Sequence, residues 1–304
     1  MPLYFSEIEK KYRFRETYYF NGYDFPVDKT LYQHQSDYQL IQVFSSEELL
    51  KRALVLDGVI QTTYFDHFRY HCPIVALSVG LCPKPENVLI IGGGDRGVLL
   101  EILRRYYFGK VTQVEIDEEV TEVSKRYLPR ICGEIPRRKS HRVSELFEDG
   151  IEFILESRDL FDVIIVDSSE PIGPGEMLFG QEFYQNALDH LGSGGILITQ
   201  AGSLIYSKQW LKTFRLLSTT WPGRIYVRVY GINVPTYGGP FALIGVRKGI
   251  NFPSEGELAR MQAQKRQKHN VWISPEMYRA YQTLQPRESS LLQKEIARIK
   301  AGRG

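Results

Sequence analysis

The sequence predicts an α/β protein in which a small N-terminal β domain, residues 1–65, precedes a larger domain, residues 66–304, built on a parallel sheet with C-terminal helices. Three observations predict it. The first 65 residues hold aromatic and β-branched runs (TYYF, YQLIQVF, ALVLDGVIQTTYF) broken by Asn-Gly, Ser-Ser and Asp-Gly turn signals. Farther on, short apolar runs alternate with amphipathic segments, the pattern of βαβ units. One of those runs, Val88-Leu-Ile-Ile91, passes directly into Gly92-Gly93-Gly94, as a strand does on entering a tight turn.

In chain order, a helix is expected over residues 68–81, followed by a Pro-containing loop. Strands are expected over 88–91, 111–116, 161–167 and 195–200, each a buried-looking apolar run. Between them VLLEILRRYYF, EEVTEVSKRYL and GQEFYQNALDHL repeat apolar residues at three-to-four spacing, so these helices cover the sheet. RIYVRVY and PFALIGVRK have no long helix between them and read as an antiparallel pair at a sheet edge. Past Asn251 surface helices are expected, with 294–303 fraying for want of apolar anchors.

A chain of 304 residues that is 43% hydrophobic can bury one large core and a small accessory one. Its 38 Lys and Arg nearly balance 36 Asp and Glu, which argues against a nucleic-acid or membrane-surface partner; Arg137-Arg138-Lys139 reads as solvated loop charge. Cys72, Cys82 and Cys132 are an odd number without CxxC spacing, which suits reduced thiols in the cytoplasm. The N-terminus carries charges where a signal peptide needs an apolar run, and no stretch is long and apolar enough to span a bilayer.

The strongest local motif is VLIIGGGDRG, residues 88–97, a strand running through glycines into a helix. Gly92 and Gly94 let the backbone turn tightly and approach a ligand, and the helix start offers unpaired N–H groups. About 20 residues on, Glu115 ends the next strand, where a carboxylate can accept from both hydroxyls of a ribose. Gly92, Gly94 and Gly97 also satisfy the dinucleotide fingerprint, which alone leaves a dehydrogenase open. Asp95 helps to choose: beside the turn it would repel a pyrophosphate and attract a sulfonium or a protonated amine, unless it merely caps the helix. Asp149-Gly150 follows a β-like segment and offers a carboxylate that could read an adenine amino group, or ordinary turn chemistry.

The strand ending at Asp167 continues Ser168-Ser169-Glu170-Pro171. Ligands in open α/β sheets sit outside the carboxyl ends of the strands, so Asp95, Glu115 and Asp167 fall on one rim, with Glu170 close by. Two carboxylates in one crevice can hold a polycation, and one can take a proton from an ammonium so that the free amine becomes a nucleophile. The bland alternative is a loop that only caps a helix.

VLDGVIQTT, VLIIGGGDRG, VEIDEEV and DVIIVDSSEPIGP closely resemble the signature segments of the spermidine synthase family of polyamine aminopropyltransferases. The resemblance starts near Tyr38-Gln39, includes Val234-Pro-Thr-Tyr237 and continues to Ser274-Pro-Glu-Met-Tyr278. It implies a Rossmann-like, methyltransferase-type sheet with a small N-terminal β domain, assembled as a homodimer or homotetramer. It implies decarboxylated S-adenosylmethionine as co-substrate, no metal, and a di- or polyamine acceptor, putrescine by default. Carried over by position, Gln39, Gly92, Gly94, Asp95, Glu115, Asp149 and Gly150 resemble the nucleoside site, with Asp95 facing the aminopropyl ammonium. Asp167 matches the catalytic base, and Tyr70, Glu170, Gln200 and Tyr237 match positions lining the acceptor pocket.

The chain departs from the family pattern at four places. Asp167-Ser-Ser-Glu170 carries Glu where Asp is common, one methylene farther into the acceptor tunnel. Tyr70-His71-Cys72 supplies a thiol where an acid is common, which would remove an anchor for a distal ammonium. Gly-Gly-Pro-Phe-Ala-Leu after Tyr237 lacks the usual tryptophan, and Arg96 replaces a common glycine and is expected to point to solvent. These changes leave putrescine, cadaverine, agmatine or a longer amine open as acceptor.

Other constellations carry less. His67 and His71 share helical spacing beside Asp66, but the glutamate of HExxH is absent, and they read as pocket or surface histidines. Ser168 and Ser169 lack a GxSxG elbow. The rivals are an S-adenosylmethionine-dependent amine N-methyltransferase on the same scaffold and a non-catalytic polyamine-binding homologue. Residues 171–179 could form a closing loop.

Overall fold

The computed structural model describes residues 3–6, 11–16, 23–106, 108–169, 180–265 and 273–302. Strands β1 (Leu3–Ser6), β2 (Lys11–Glu16) and β3 (Tyr23–Val27) form one antiparallel sheet. A second, β4 (Lys29–Gln35), β5 (Leu40–Ser46), β6 (Lys51–Leu56) and β7 (Val59–Thr63), is an antiparallel meander. Asp57 and Gly58 close its last hairpin, both at positive φ, as a tight two-residue turn between right-twisted strands demands.

The large sheet has the order β10-β9-β8-β11-β12-β14-β13. Its parallel strands are β8 (Asn87–Gly92), β9 (Lys110–Glu115), β10 (Val143–Phe147), β11 (Phe161–Asp167) and β12 (Leu191–Ser203). Strands β13 (Ile225–Val234) and β14 (Gly239–Lys248) are antiparallel, with β13 at the edge. Helices precede and connect these strands: α1 (Phe68–Ala76), α2 (Gly97–Arg105), α3 (Glu118–Tyr127), α4 (Pro129–Cys132), α5 (Gly150–Glu156), α6 (Gln181–Asp189) and α7 (Ser207–Thr219). After β14 come α8 (Glu255–Lys265), α9 (Pro275–Gln282) and α10 (Pro286–Ala301).

The strands alternate strictly between two buried layers. Val88, Ile90, Val163 and Ile165 join one, with α1 and α2; Leu89, Ile91, Ile164 and Val166 join the other, with Phe183 of α6 and Trp210 of α7. Both faces are covered, which is why the strands read as continuous apolar runs. One face of the meander, Ile41, Val43, Leu54 and Leu56, packs on Val120 and Val123 of α3, so the small sheet leans against the glycine-turn end of the large one.

Two sequence expectations need correction here. The first helix stops at Ala76 rather than 81, because the following residues turn back on hydrogen bonds from Ser78 and Gly80 to Val75. Residues 294–301 do not fray: α10 runs to Ala301, with Ile296 and Ile299 packed on the core and a buried Glu295 bonded to Arg215. No helix among the described residues is long and apolar enough to cross a membrane.

Candidate active site

Strand order reverses between β8 and β11, since β9 and β10 lie to one side and β12 to the other. A crevice opens at the carboxyl ends of the strands at such a switch point. A cleft with an open mouth lies there. Gln39, Tyr70, Gly92, Gly94, Asp95, Glu115, Asp149, Gly150, Asp167, Gln200 and Tyr237 all line it. Glu170 and the 171–179 segment lie outside the described residues.

The glycine turn is built by close approach. Gly92 pairs with Asp167 in register, and the Gly93 N–H donates to the Asp167 carbonyl at 2.7 Å. At Gly92 φ is +83°, and a Cβ would stand 2.4 Å from that carbonyl oxygen, so no other residue fits. At Gly97 a Cβ would stand 2.0 Å from Cε1 of His71; the bare backbone gives the imidazole its seat.

Asp95 does two things at once. Its Oδ1 accepts from the Gly97 N–H at 2.8 Å, the helix-capping alternative, while Oδ2 stands 3.2 Å from His71 Nε2 within the cleft. Burial opposes its charge, but the His71 imidazole beside it outweighs that and holds the carboxyl below its usual range. Asp167 Oδ1 accepts from the Tyr70 phenol at 2.7 Å. Burial first, then the neighbouring Asp95, pushes the Asp167 carboxyl up to about 6.

Glu115 and Gln39 are organised by Asp117. The Asp117 N–H donates to Glu115 Oε1 at 3.0 Å, and the Gln39 amide donates to Asp117 Oδ2 at 3.1 Å. Burial pushes Glu115 up to about 7. A carboxyl raised on folding stabilises the fold below its unfolded value, and that contribution is lost as pH rises through the folded one. Glu115→Gln is therefore expected to remove a loss of about 3 kcal/mol of ligand-free stability between pH 4.5 and 7, read from urea unfolding across that range. An unchanged pH slope in the variant would contradict the assignment.

Asp149 caps α5 by accepting from the Ile151 N–H at 2.7 Å, so the turn-chemistry alternative also holds while the residue faces the cleft. Gln200 bridges the two walls: its Oε1 accepts from the Gly202 N–H at 3.0 Å, and its amide points at the Ser169 carbonyl at 3.3 Å. Tyr237 donates its phenol to the Gln61 carbonyl and packs edge-on to Tyr70. Asp66, buried at the head of α1, fixes the turn carrying Tyr237 by accepting from the Thr236 N–H at 2.9 Å.

Four side chains stand otherwise than expected. Arg96 is buried rather than solvent-facing; its guanidinium donates to Glu145 at 3.1 Å and to the Gly133 carbonyl at 3.0 Å. Its φ of +60° places a non-glycine residue in the left-handed region, and those bonds offset a cost of about 1 kcal/mol. Cys72 does not line the cleft: it turns toward α2, where burial and Glu101 push its thiol up to about 12. The missing tryptophan is answered by Phe241, which lines the cleft with its ring 5.2 Å from that of Tyr237. His71, a pocket or surface histidine by sequence, lines the cleft. Its signal was adjacency to Tyr70 on a helix reaching the glycine turn. Among the described residues no group of three His, Cys, Asp or Glu side chains is placed to hold a metal.

Fold and cleft together define a class: a Rossmann-like, methyltransferase-type α/β protein with a carboxylate-lined site at the switch point of its sheet. The spermine/spermidine synthase domain matches residues 67–252, and the spermidine synthase tetramerisation domain matches residues 13–64. The polyamine aminopropyltransferase of Thermococcus onnurineus (strain NA1) is 37% identical over 235 residues, covering 76% of this chain and 80% of the relative. That of Clostridium botulinum (strain Eklund 17B / Type B) is 39% identical over 220 residues, covering 72% and 76%. A crystal structure of spermidine synthase in complex with the transition-state analogue AdoDATO superposes with a TM-score of 0.77 at 31% identity, covering 91% of both chains. The chain thus belongs to the spermine/spermidine synthase family and is a transferase of the aminopropyltransferase type.

Proposed function

We propose that the protein moves an aminopropyl group from decarboxylated S-adenosylmethionine to an acceptor amine, putrescine by default, releasing methylthioadenosine. The observation that carries this is the convergence of Asp95 and Asp167 on one cleft that also holds Glu115. Glu115 accepts from the ribose hydroxyls, Gln39 and Asp149-Gly150 border the base, and Asp95 receives the donor's ammonium. Those two aspartates would repel the carboxylate of S-adenosylmethionine itself, which favours the decarboxylated donor.

Asp167 acts as the base. A carboxyl raised to about 6 is ionised at neutral pH yet basic enough to accept a proton in the transition state. It takes one from the acceptor ammonium, and Tyr70 holds its other oxygen. The freed nitrogen lone pair attacks the propyl carbon next to sulfur, the C–S bond breaks, and its electron pair stays on sulfur in the departing neutral thioether. Gln200 and Tyr237 line the acceptor's path, and the family resemblance assigns Glu170 to acceptor binding.

The match to a tetramerisation domain over residues 13–64 supports a homodimer or homotetramer, and three cysteines outside any disulfide support a cytoplasmic setting. Purified protein incubated with the decarboxylated donor and a panel of diamines and triamines is expected to yield methylthioadenosine and an aminopropylated amine by mass spectrometry. Methyl transfer from S-adenosylmethionine without methylthioadenosine would overturn the reading, and tight binding with no product would make the chain a binding homologue. Glu170→Asp is expected to re-rank the acceptors by about 5- to 100-fold in kcat/KM, toward a longer amine as one methylene is withdrawn. An unchanged ranking would remove Glu170 from acceptor choice.

A further inference from the structure

Helix α1 carries a second histidine that this displacement does not use. The rings of His67 and His71 are centred 5.5 Å apart, with their Nδ1 atoms 3.4 Å from one another. On its other side His71 turns Nε2 toward Asp95. An ionised carboxylate only accepts hydrogen bonds, so His71 Nε2 carries a proton. The facing Nδ1 atoms then admit two hydrogen-bonded arrangements. Either a charged His71 donates to a neutral His67, or a neutral His71 accepts from His67. The two differ by one proton, and His67 is the partner in both. His71 is buried, whereas His67 is only half-buried and within reach of water.

We propose that His67 is a positioning residue that keeps His71 charged in the empty cleft by accepting from its Nδ1, so that the pair gives up one proton when a cationic substrate settles against Asp95. The proposal rests on the reading above that the donor ammonium binds at Asp95. Groups facing the pair come from every side: Asp95 from the glycine turn, Asp167 from β11, Tyr70 from α1, and Glu101 and Arg104 from α2. Burial opposes a charge on His71, but Asp95 outweighs it and raises that pKa. Burial, then the charge on His71, pushes His67 down to about 4, which leaves it neutral and able to accept.

An arriving ammonium competes for Asp95 and repels the imidazolium. The Nδ1–H bond of His71 then breaks, the proton passes to His67 Nδ1, and His67 gives up the proton on its Nε2. The result is the second arrangement, and no electrons change hands.

The test is calorimetric titration of the full chain with the decarboxylated donor in two buffers of different ionisation enthalpy, with methylthioadenosine as the neutral probe. In the wild type the donor is expected to release a proton and methylthioadenosine none. The donor Kd should fall about tenfold per pH unit on the acid side of the His71 titration. In His67→Phe, with no acceptor for His71 Nδ1, the release disappears and the Kd moves by less than about twofold over that range. In His67→Gln, whose amide oxygen accepts, both return. Equal proton release and pH slope in wild type and His67→Phe would overturn the proposal, as would equal release with the neutral probe. A wild type that neither binds nor turns over the donor overturns the functional reading and this proposal together; turnover alongside donor binding that releases no proton overturns this proposal alone. Should His67→Phe fail to fold, the ring 15N shifts of the ligand-free wild type decide. A doubly protonated His71 beside a His67 bare at Nδ1 supports the proposal, and a His71 still neutral at mildly acid pH overturns it.

Discussion

Asp167→Asn is expected to lower kcat by about 10²- to 10⁴-fold, while the decarboxylated donor binds within about threefold of wild type. Asparagine keeps the size of the side chain, and its amide oxygen still accepts from Tyr70, which donates to Asp167 at 2.7 Å. What it loses is a basic oxygen. The acceptor then reaches the sulfonium as an ammonium with no lone pair to attack. Because burial and Asp95 push the wild-type carboxyl up to about 6, kcat/KM is expected to fall as pH drops through that value. The variant should lose that limb of the profile. Steady-state rates across pH, with donor affinity measured separately, check both halves; a kcat within about tenfold of wild type would assign the base elsewhere.

Asp95→Asn is expected to weaken donor binding by about 2 to 4 kcal/mol, or roughly 30- to 1000-fold. The helix cap survives, because the asparagine oxygen can still accept from the Gly97 N–H. The charge that balances His71, and to which the proposed function assigns the ammonium, does not survive. S-adenosylmethionine should lose far less, since its carboxylate is no longer repelled, so the preference between the two donors narrows. Parallel titrations with both nucleosides read the ratio. A uniform loss for both would mean that Asp95 matters for the shape of the turn rather than for charge.

The features of this site carried by one segment at a time were legible in the sequence. Val88 to Ile91 is apolar because both faces of its strand are covered, and Gly92 is glycine because a Cβ would strike the Asp167 carbonyl. Asp95, Glu115 and Asp167 each end a strand or follow one, so strand order alone brings them to one rim. What escaped depends on which elements touch. Arg96 reads as a solvent residue until Glu145 of β10 and the Gly133 carbonyl are seen to receive its guanidinium. Cys72 reads as a gap in the acceptor tunnel until α1 is seen to turn it toward Glu101. His71 seemed bland because its partner lies 24 residues away, beside a glycine whose missing Cβ makes room for the ring. The last helix seemed unanchored because its buried acid, Glu295, pairs with Arg215 on a different helix.

The central claim is that the cleft selects its nucleoside by charge. Calorimetric titration of the wild-type protein with decarboxylated S-adenosylmethionine and with S-adenosylmethionine, under the same buffer and salt, tests it directly. The decarboxylated nucleoside is expected to bind at least about 100-fold more tightly, with the margin shrinking as salt is raised. Equal affinities, or a preference for the nucleoside that carries the carboxylate, would contradict it.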